Sequence, residues 1–272
     1  SGVDLALWDL RGRVEKTSVC NLLGGAKQST LPTYITVWDN DAMDEVAASP
    51  HQGFKLHLGG QSTDENGSTE AFADCIAGQL SRARTAIGPD RELMADAWMN
   101  WNLEETQAVI SRVADLNLSW LEEPLPVHDE AGYAELVSSS PVSIAGGEHE
   151  YTSAGFRHLA EQRLHTVLQP DVCWCGGLTE LIRVYEIAAE FDLRVCPHRG
   201  AELWSLPAIA VLDNGLADPL AESGRPWMEW VSGQPSIEDG VVTVPDRPGF
   251  GVEIDEAAIT AYPTPSYDEW QK

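Results

Sequence analysis

The chain has 272 residues, enough for one large domain with a sizeable core, and its 17 basic against 43 acidic residues give a formal charge of −26. That sign argues against nucleic acid or an anionic membrane surface as a partner. Ten tryptophans and a 43% hydrophobic content exclude a disordered acidic tail, and there is neither a charged-then-apolar leader nor an apolar run of membrane-spanning length.

The first element in chain order is an amphipathic helix, GVDLALWDLRGRVEK, with Val3, Leu5, Ala6, Leu7 and Leu10 on a helical stripe and an NLLGG stop behind it. The stretch LPTYITVW over 31–38 reads as the first strand. The segment DNDAMDEVAASPHQ that follows is short for a crossover helix, so the first repeat is abbreviated. Later crossovers are fuller, with helices expected at 68–87, 103–116, 130–139, 152–162, 177–191 and 203–214. They alternate with GFKLHLG, ELMADAW, LSWLEEPL, VSIAGGEHE, HTVLQPDV, LRVCPHRG and ADPLAES, each a short apolar stretch that ends on a polar group. The tail is rich in Pro, Gly and Trp, and VVTVPDRPGFGVEID suggests a small hairpin and a closing strap. The expected organisation is a helical segment over 1–30, a barrel over 31–224 and a strap with hairpin over 225–272.

The polar residues at those strand ends are Lys55, Asp96, Glu122, Glu148, Asp171, His198 and Glu222, and from Asp96 onward they recur at intervals of 23 to 27 residues. That is the length of one strand, one helix and two short loops. An α/β fold follows, a (β/α)7β barrel of the TIM type, whose strand carboxyl ends share one catalytic face. Asp96, Glu122 and Glu148 form a set: three carboxylates in one dry mouth need a cation between them. All-oxygen ligands suit Mg²⁺ better than Zn²⁺, which prefers His and Cys. Glu122 and Glu123 are adjacent, so strand alternation sends them to opposite sides. Glu122 is the expected ligand, and Glu123 the partner of a basic neighbour away from the barrel axis. Asp171 and His198 lie one βα unit apart, and a carboxylate that fixes an imidazole tautomer makes a competent proton acceptor. Lys55 and His57 share a face of the second strand. Lys55 is one of only four lysines and is expected to neutralise charge or to act with a lowered pKa. For His57 a second base, a hydroxyl donor and an ordinary loop histidine are all open.

Together these pieces resemble the enolase superfamily in its mandelate racemase branch. GVDLALWDL, WLEEPL, GGEH, QPDVCWCGGLTE and PHRG are similar to forms seen in the L-rhamnonate-type acid-sugar dehydratases of that branch. The likeness runs from residue 2 to about residue 255. It implies Asp96, Glu122 and Glu148 as Mg²⁺ ligands, Asp171 with His198 as the base pair, and Glu222 as a hydrogen-bonding partner of the substrate carboxylate. It also implies that His149 and Arg199 face the substrate. Two departures stand out. The α+β capping domain of such proteins normally finishes at GVDLALWDL, so its absence from this chain is expected, and strand two reads Lys-Leu-His where many relatives have Lys-x-Lys.

The chemistry expected is removal of a proton alpha to the carboxylate of an acid sugar, with His198 as base, then loss of the neighbouring hydroxyl to give a 2-keto-3-deoxy acid. Racemisation or epimerisation of a 2-hydroxy acid, using Lys55 or His57 as a base opposite His198, is the rival on the same scaffold. A lidless barrel that binds Mg²⁺ and a partner without turnover is the rival from another class. The partner expected is a small carboxylate, and a homo-oligomer is compatible with the sequence. Cys20, Cys75, Cys173, Cys175 and Cys196 form no CxxC pair, which points to reduced thiols in a cytoplasmic protein. Acid spread through helices and loops, not gathered in a tail, points to a salt-rich cytoplasm in which ions screen self-repulsion. The expected outcome is that the thermal unfolding midpoint rises as KCl is taken to molar concentration; an unchanged midpoint refutes the halophilic reading.

Overall fold

The structure is a computed structural model that describes residues 1–59, 67–200, 202–212, 220–223 and 231–257. Eight parallel strands close into a barrel: β1 (Thr30–Val37), β2 (Gly53–His57), β3 (Glu92–Asp96), β4 (Trp120–Glu122), β5 (Ile144–Gly146), β6 (Val167–Leu168), β7 (Arg194–Val195) and β8 (Ala221–Glu222). Parallel ladders run from β1 through β7, and β8 pairs with β1 at Thr33↔Ala221 and Tyr34↔Glu222. Between β7 and β8 the described contacts are the Cys196 thiol on the Leu220 carbonyl at 3.6 Å and the Arg199 N–H on Glu222 at 2.8 Å.

Alternation along these strands decides what faces inward. Phe54, Leu56, Leu93, Ala95, Leu121, Ile144 and Leu168 belong to the outer core beneath the helices. Tyr34, Met94, Trp120, Ala145, Val167, Cys196 and Leu220 fill the barrel interior as one apolar cluster. Trp120 and Tyr34 meet edge to face there, with centroids 5.8 Å apart. Bulky side chains on alternate positions make this a packed core, not a pore.

The crossovers follow the expected pattern, with only a 3-10 turn (Asn40–Ala42) and the short helix α3 (Met43–Val46) between β1 and β2. Helix α4 (Thr69–Ile87) starts where the Ser68 hydroxyl accepts from the Ala71 N–H, and it buries Phe72, Ile76, Leu80 and Ala83 on one stripe. Helix α5 (Leu103–Val113) begins with a reciprocal capping box between Asn102 and Glu105. Helices α6 (Glu130–Ser139), α7 (Thr152–Glu161) and α8 (Leu178–Glu190) complete the next three units. The crossover expected over 203–214 is helical only as α9 (Leu206–Leu212), and residues 213 and 214 lie outside the described residues. No helix among the described residues is long and apolar enough to cross a membrane. All five cysteines are free, with Cys20, Cys175 and Cys196 buried.

Two expectations are corrected. In helix α1 (Gly2–Glu15), only Leu5 of the expected stripe is buried, while Val3, Leu7 and Leu10 are exposed. The helix turns its other side inward because Gly12 lies against the backbone of Gly249, where a Cβ would stand 2.7 Å from the Gly249 Cα. That contact lets Trp8 bond to Thr179 at 3.0 Å and Asp4 accept from the Thr179 N–H at 3.0 Å. Asp4 thereby caps α8, whose own N-cap, Gly177, has no side chain to do so. A four-residue helix, α2 (Val19–Leu22), follows. In the tail, the hairpin forms earlier than expected: β10 (Ile237–Glu238) pairs with β11 (Val241–Thr243), which also pairs antiparallel with the start of β1. The reason is the Asp239-Gly240 turn, both residues at positive φ, a strong hairpin signal. Farther on, β12 (Glu253–Ile254) pairs with β9 (Val231–Ser232). Residues 224–230 and 258–272 of the expected strap lie outside the described residues.

One buried histidine couples the fold to acidity. His165 packs on the Tyr133 ring at 4.7 Å, and burial pushes its pKa down to about 4. Below its ordinary value of 6.5 the unfolded chain binds a proton that the folded chain refuses, so stability falls by about 1.4 kcal/mol per pH unit. The loss reaches roughly 3 kcal/mol near pH 4 and is absent at neutral pH. Urea denaturation of His165→Phe is expected to show a stability gain relative to the parent that grows as pH drops through this window; a difference independent of pH contradicts it.

Candidate active site

Two residues beyond the apolar interior layer, the same alternation brings polar groups inward. Thr36, Asp96, Glu122, Gln169, His198 and Glu222 follow Tyr34, Met94, Trp120, Val167, Cys196 and Leu220 in the chain. Lys55 on β2 is in register with Thr36 on one side and Met94 on the other. One ladder step away, His57 is in register with Asp96, and Asp96 with Glu122. A cavity of about 350 Å³ opens above this layer, lined by Thr36, Trp38, Lys55, His57, Asp96, Trp98, Glu148, His198 and Glu222. A larger cleft of about 780 Å³ outside the barrel, between Trp38 and Arg82, contains none of these strand-end groups.

Lys55 organises the floor. Its ammonium is buried and lies 2.8 Å from Glu122, 3.1 Å from Glu222 and 3.7 Å from Asp96. Burial disfavours the ammonium, yet these three carboxylates reverse that and hold its pKa well above the ordinary lysine value. Lys55 is therefore a fixed positive charge. The lowered pKa considered from sequence is not found. Glu122 lies beneath the cavity, where it accepts from Trp120 Nε1 at 3.0 Å and Gln169 Nε2 at 2.7 Å. Burial, opposed by Lys55 and reinforced by Asp96, Glu222 and Glu148, pushes its carboxyl up to about 8. Burial also favours the neutral form of Glu222, but Lys55, His198, the Thr36 hydroxyl at 2.6 Å and the Arg199 N–H outweigh it and hold that carboxyl at about 2. One ammonium thus serves three carboxylates, and Glu122 is the one left short of positive charge.

On another wall, His198 stands between two carboxylates, with Nδ1 2.9 Å from Asp171 and Nε2 3.2 Å from Glu148. Burial lowers its pKa, and the Asp171 hydrogen bond with Glu222 and Glu148 nearby more than reverses this, to about 9. Asp171 also accepts from the Cys173 N–H at 2.7 Å, which fixes the carboxylate that orients the ring. His57 makes a second pairing across the cavity, its Nδ1 3.3 Å from Asp96.

The expected groups do not all reach the cavity. His149 turns to Glu123, 3.1 Å away, which supplies the basic neighbour anticipated for that carboxylate. Arg199 gives Glu222 its backbone N–H and directs its guanidinium to Glu202. Among the described residues, the three side chains whose ligand atoms lie within 4.8 Å of one another are Glu123, Glu148 and His149. Asp96 and Glu122 are outside that group because Lys55 draws both of them to itself. The chemistry of the donor set nevertheless suits a hard divalent ion. Glu148, like Glu122, is pushed upward by burial, so these carboxylates lack the positive charge that an ion supplies. Thr36, Gln169, Trp38 and Trp98 escaped the sequence reading. The first two are legible in hindsight, two residues on from interior apolar positions in TYIT and VLQP.

A barrel with carboxylates and a histidine–aspartate pair gathered at its strand ends carries the groups that metal-assisted acid–base chemistry uses. The chain belongs to the Enolase C-terminal domain-like family, whose pattern matches residues 39–258. It is similar to L-rhamnonate dehydratase of Saccharopolyspora erythraea, with 35% identity over 265 residues covering 93% of this chain and 65% of that protein. The crystal structure of rhamnonate dehydratase from Gibberella zeae complexed with Mg superposes with a TM-score of 0.82 at 34% identity, over 95% of this chain and 64% of that one. The 3,6-anhydro-D-galactonate cycloisomerase from Zobellia galactanivorans gives 0.81 at 28% identity, over 96% and 74%. The chain thus spans about two thirds of the length of the dehydratases it matches.

Removing the central ammonium tests the electrostatics of the floor. Lys55→Met is expected to cost about 3–5 kcal/mol in chelator at neutral pH, because three buried acidic groups then face one another without the ammonium between them. Their folded-state pKa values rise in the variant, so the folded form binds more protons and the deficit shrinks as pH is lowered. Urea titrations at several pH values check both statements.

Proposed function

We propose that the chain catalyses Mg²⁺-dependent dehydration of an acid sugar, an aldonate of the L-rhamnonate kind, to a 2-keto-3-deoxy acid. One observation carries this: the His198–Asp171 pair and the Lys55–Glu222–Asp96 cluster meet around a single small cavity. Similarity to two dehydratases of this substrate, one of them complexed with Mg, supports the reading.

Asp96, Glu122 and Glu148 would hold the ion, with Glu123 and His149 beside them. When bound, Mg²⁺ supplies positive charge that offsets the carboxylates and stabilises the negative charge that develops on the substrate carboxylate. Lys55 adds a second fixed charge at the same end of the cavity. Glu222, anchored by Thr36 and the Arg199 N–H, stands where it can accept a hydrogen bond from the substrate. His198 in its neutral form, with Nδ1 held by Asp171, removes the proton from the carbon next to the carboxylate through Nε2. The C–H electron pair forms the enolate, the hydroxyl on the next carbon departs, and the proton on His198 is returned to it so that it leaves as water. The resulting enol becomes the 2-keto-3-deoxy acid. Placing the base just past a strand end, half-buried and doubly oriented, removes the entropy of finding that geometry.

One observation favours a second reading on the same scaffold. His57 lines the cavity opposite the His198 side and has its own carboxylate partner, so racemisation or epimerisation with two bases is the alternative. Deuterium exchange into recovered substrate without keto acid would favour it.

The experiment is a screen of aldonic acids with Mg²⁺, detecting keto acid, on the parent and on His198→Asn. The variant is expected to lose at least about 10²- to 10⁴-fold in turnover, the scale of general-base catalysis, while keeping its Mg²⁺-dependent rise in melting temperature. Glu122→Gln and Glu148→Gln are expected to lose that rise. Loss in Glu123→Gln with retention in Glu122→Gln would instead move the ion to the group formed by Glu123, Glu148 and His149.

A further inference from the structure

The cavity has two chemically different ends. Its floor is charged and buried, with Lys55, Asp96 and Glu222. Its rim carries two large rings, Trp38 at 70% exposure and Trp98 at 49%. Neither tryptophan is needed to hold the barrel together at that exposure, and each stands two residues after an inward-facing position, Thr36 of β1 and Asp96 of β3. Between them lies His57, its ring 4.2 Å from that of Trp38 and 6.2 Å from that of Trp98. The three rings form one aromatic wall above the polar floor. Trp98 is held there at a cost: it and Met99 adopt consecutive left-handed conformations, φ 46 and 63. Its N–H donates to Asp96 at 3.0 Å, and the Met99 N–H to the Glu123 carbonyl. Strain of this kind in non-glycine residues persists where the surrounding structure over-determines a useful placement.

Resting on the reading of the floor as the carboxylate end, we propose that Trp38 and Trp98 form a stacking subsite for the substrate's distal carbon chain. It makes the cavity selective for acid sugars of five or six carbons over short 2-hydroxy acids. A cavity near 350 Å³ is at the small end of ligand sites, where a few apolar walls and a few polar groups fix orientation. A carboxylate drawn to the charged floor leaves the chain of an aldonate to run outward past the rings. The C–H edges of such a chain pack on the electron-rich ring faces while its hydroxyls stay in water. A three-carbon acid does not extend to the rim.

The test is calorimetric titration, with Mg²⁺ present, of a six-carbon aldonate and of glycerate into the parent, Trp38→Ala, Trp98→Ala and Trp38→Phe. Either alanine variant is expected to weaken the six-carbon acid about 10- to 100-fold, the worth of a few apolar contacts in a specificity pocket, and to leave glycerate within about twofold. Retained glycerate binding doubles as proof that the variant is folded. The Phe variant keeps a ring face and is expected to recover most of the affinity. Equal loss for both acids, or no loss for either, overturns the stacking subsite while leaving the carboxylate end of the site intact. Failure of the parent to bind either acid removes the reading of the floor and this inference with it.

Discussion

Everything at the mouth of this barrel is arranged around one buried ammonium. Lys55 lies within 4 Å of three carboxylates from three other strands, and burial of those groups is tolerable only because their charges are set against one another. The balance is incomplete. A single positive charge facing Glu122, Glu222 and Asp96 leaves the cluster anionic, which is why Glu122 holds its proton far above the usual carboxylate range and Glu222 does not. A cluster short of positive charge in a nearly dry setting is one that a bound cation would stabilise. The same arithmetic explains why three ligand candidates do not converge on one point here: the ammonium collects two of them first.

The barrel supplies the positioning through a simple device. Strand alternation places a large apolar side chain at one level of the interior and a polar one two residues later, and the parallel ladders put those levels side by side. Trp120 then does two jobs: it fills the interior and gives its Nε1 hydrogen to Glu122. Above that level the chain leaves the strands through turns that carry left-handed non-glycine residues, Trp98, Met99, Glu123, Thr152 and Arg199. Several side chains of the mouth owe their direction to these turns. Glu123 swings to His149 instead of continuing the inward row, and Arg199 presents its backbone to Glu222 instead of its guanidinium.

The scaffold does not choose the reaction. A dehydratase and a cycloisomerase superpose on this chain almost equally well, so reaction type must follow from the groups at the strand ends and from what lies above them. Here those groups are an oriented imidazole just past β7, a lysine and a second imidazole on β2, and a pair of tryptophans at the rim. His57 in particular lines the cavity with its own carboxylate partner, Asp96.

Some of this was legible in the chain alone. Interval and alternation revealed the (β/α)7β barrel and the strand-end positions of Lys55, Asp96, Glu122, Asp171, His198 and Glu222, because both are local properties: a βα unit has a fixed length, and the side-chain period of a strand is two. The Asp239-Gly240 turn is equally local, yet the hairpin expected after it, within 241–255, forms around it instead. Contact partners were not. That Lys55 would draw in Asp96 and Glu122, that Arg199 would turn to Glu202, that α1 would face inward through Gly12 and Trp8, and that Trp38 and Trp98 would enclose His57 all depend on distances between residues far apart in sequence. Only closure of the barrel sets those distances, since burial and charge compensation are settled among groups that the chain order keeps apart.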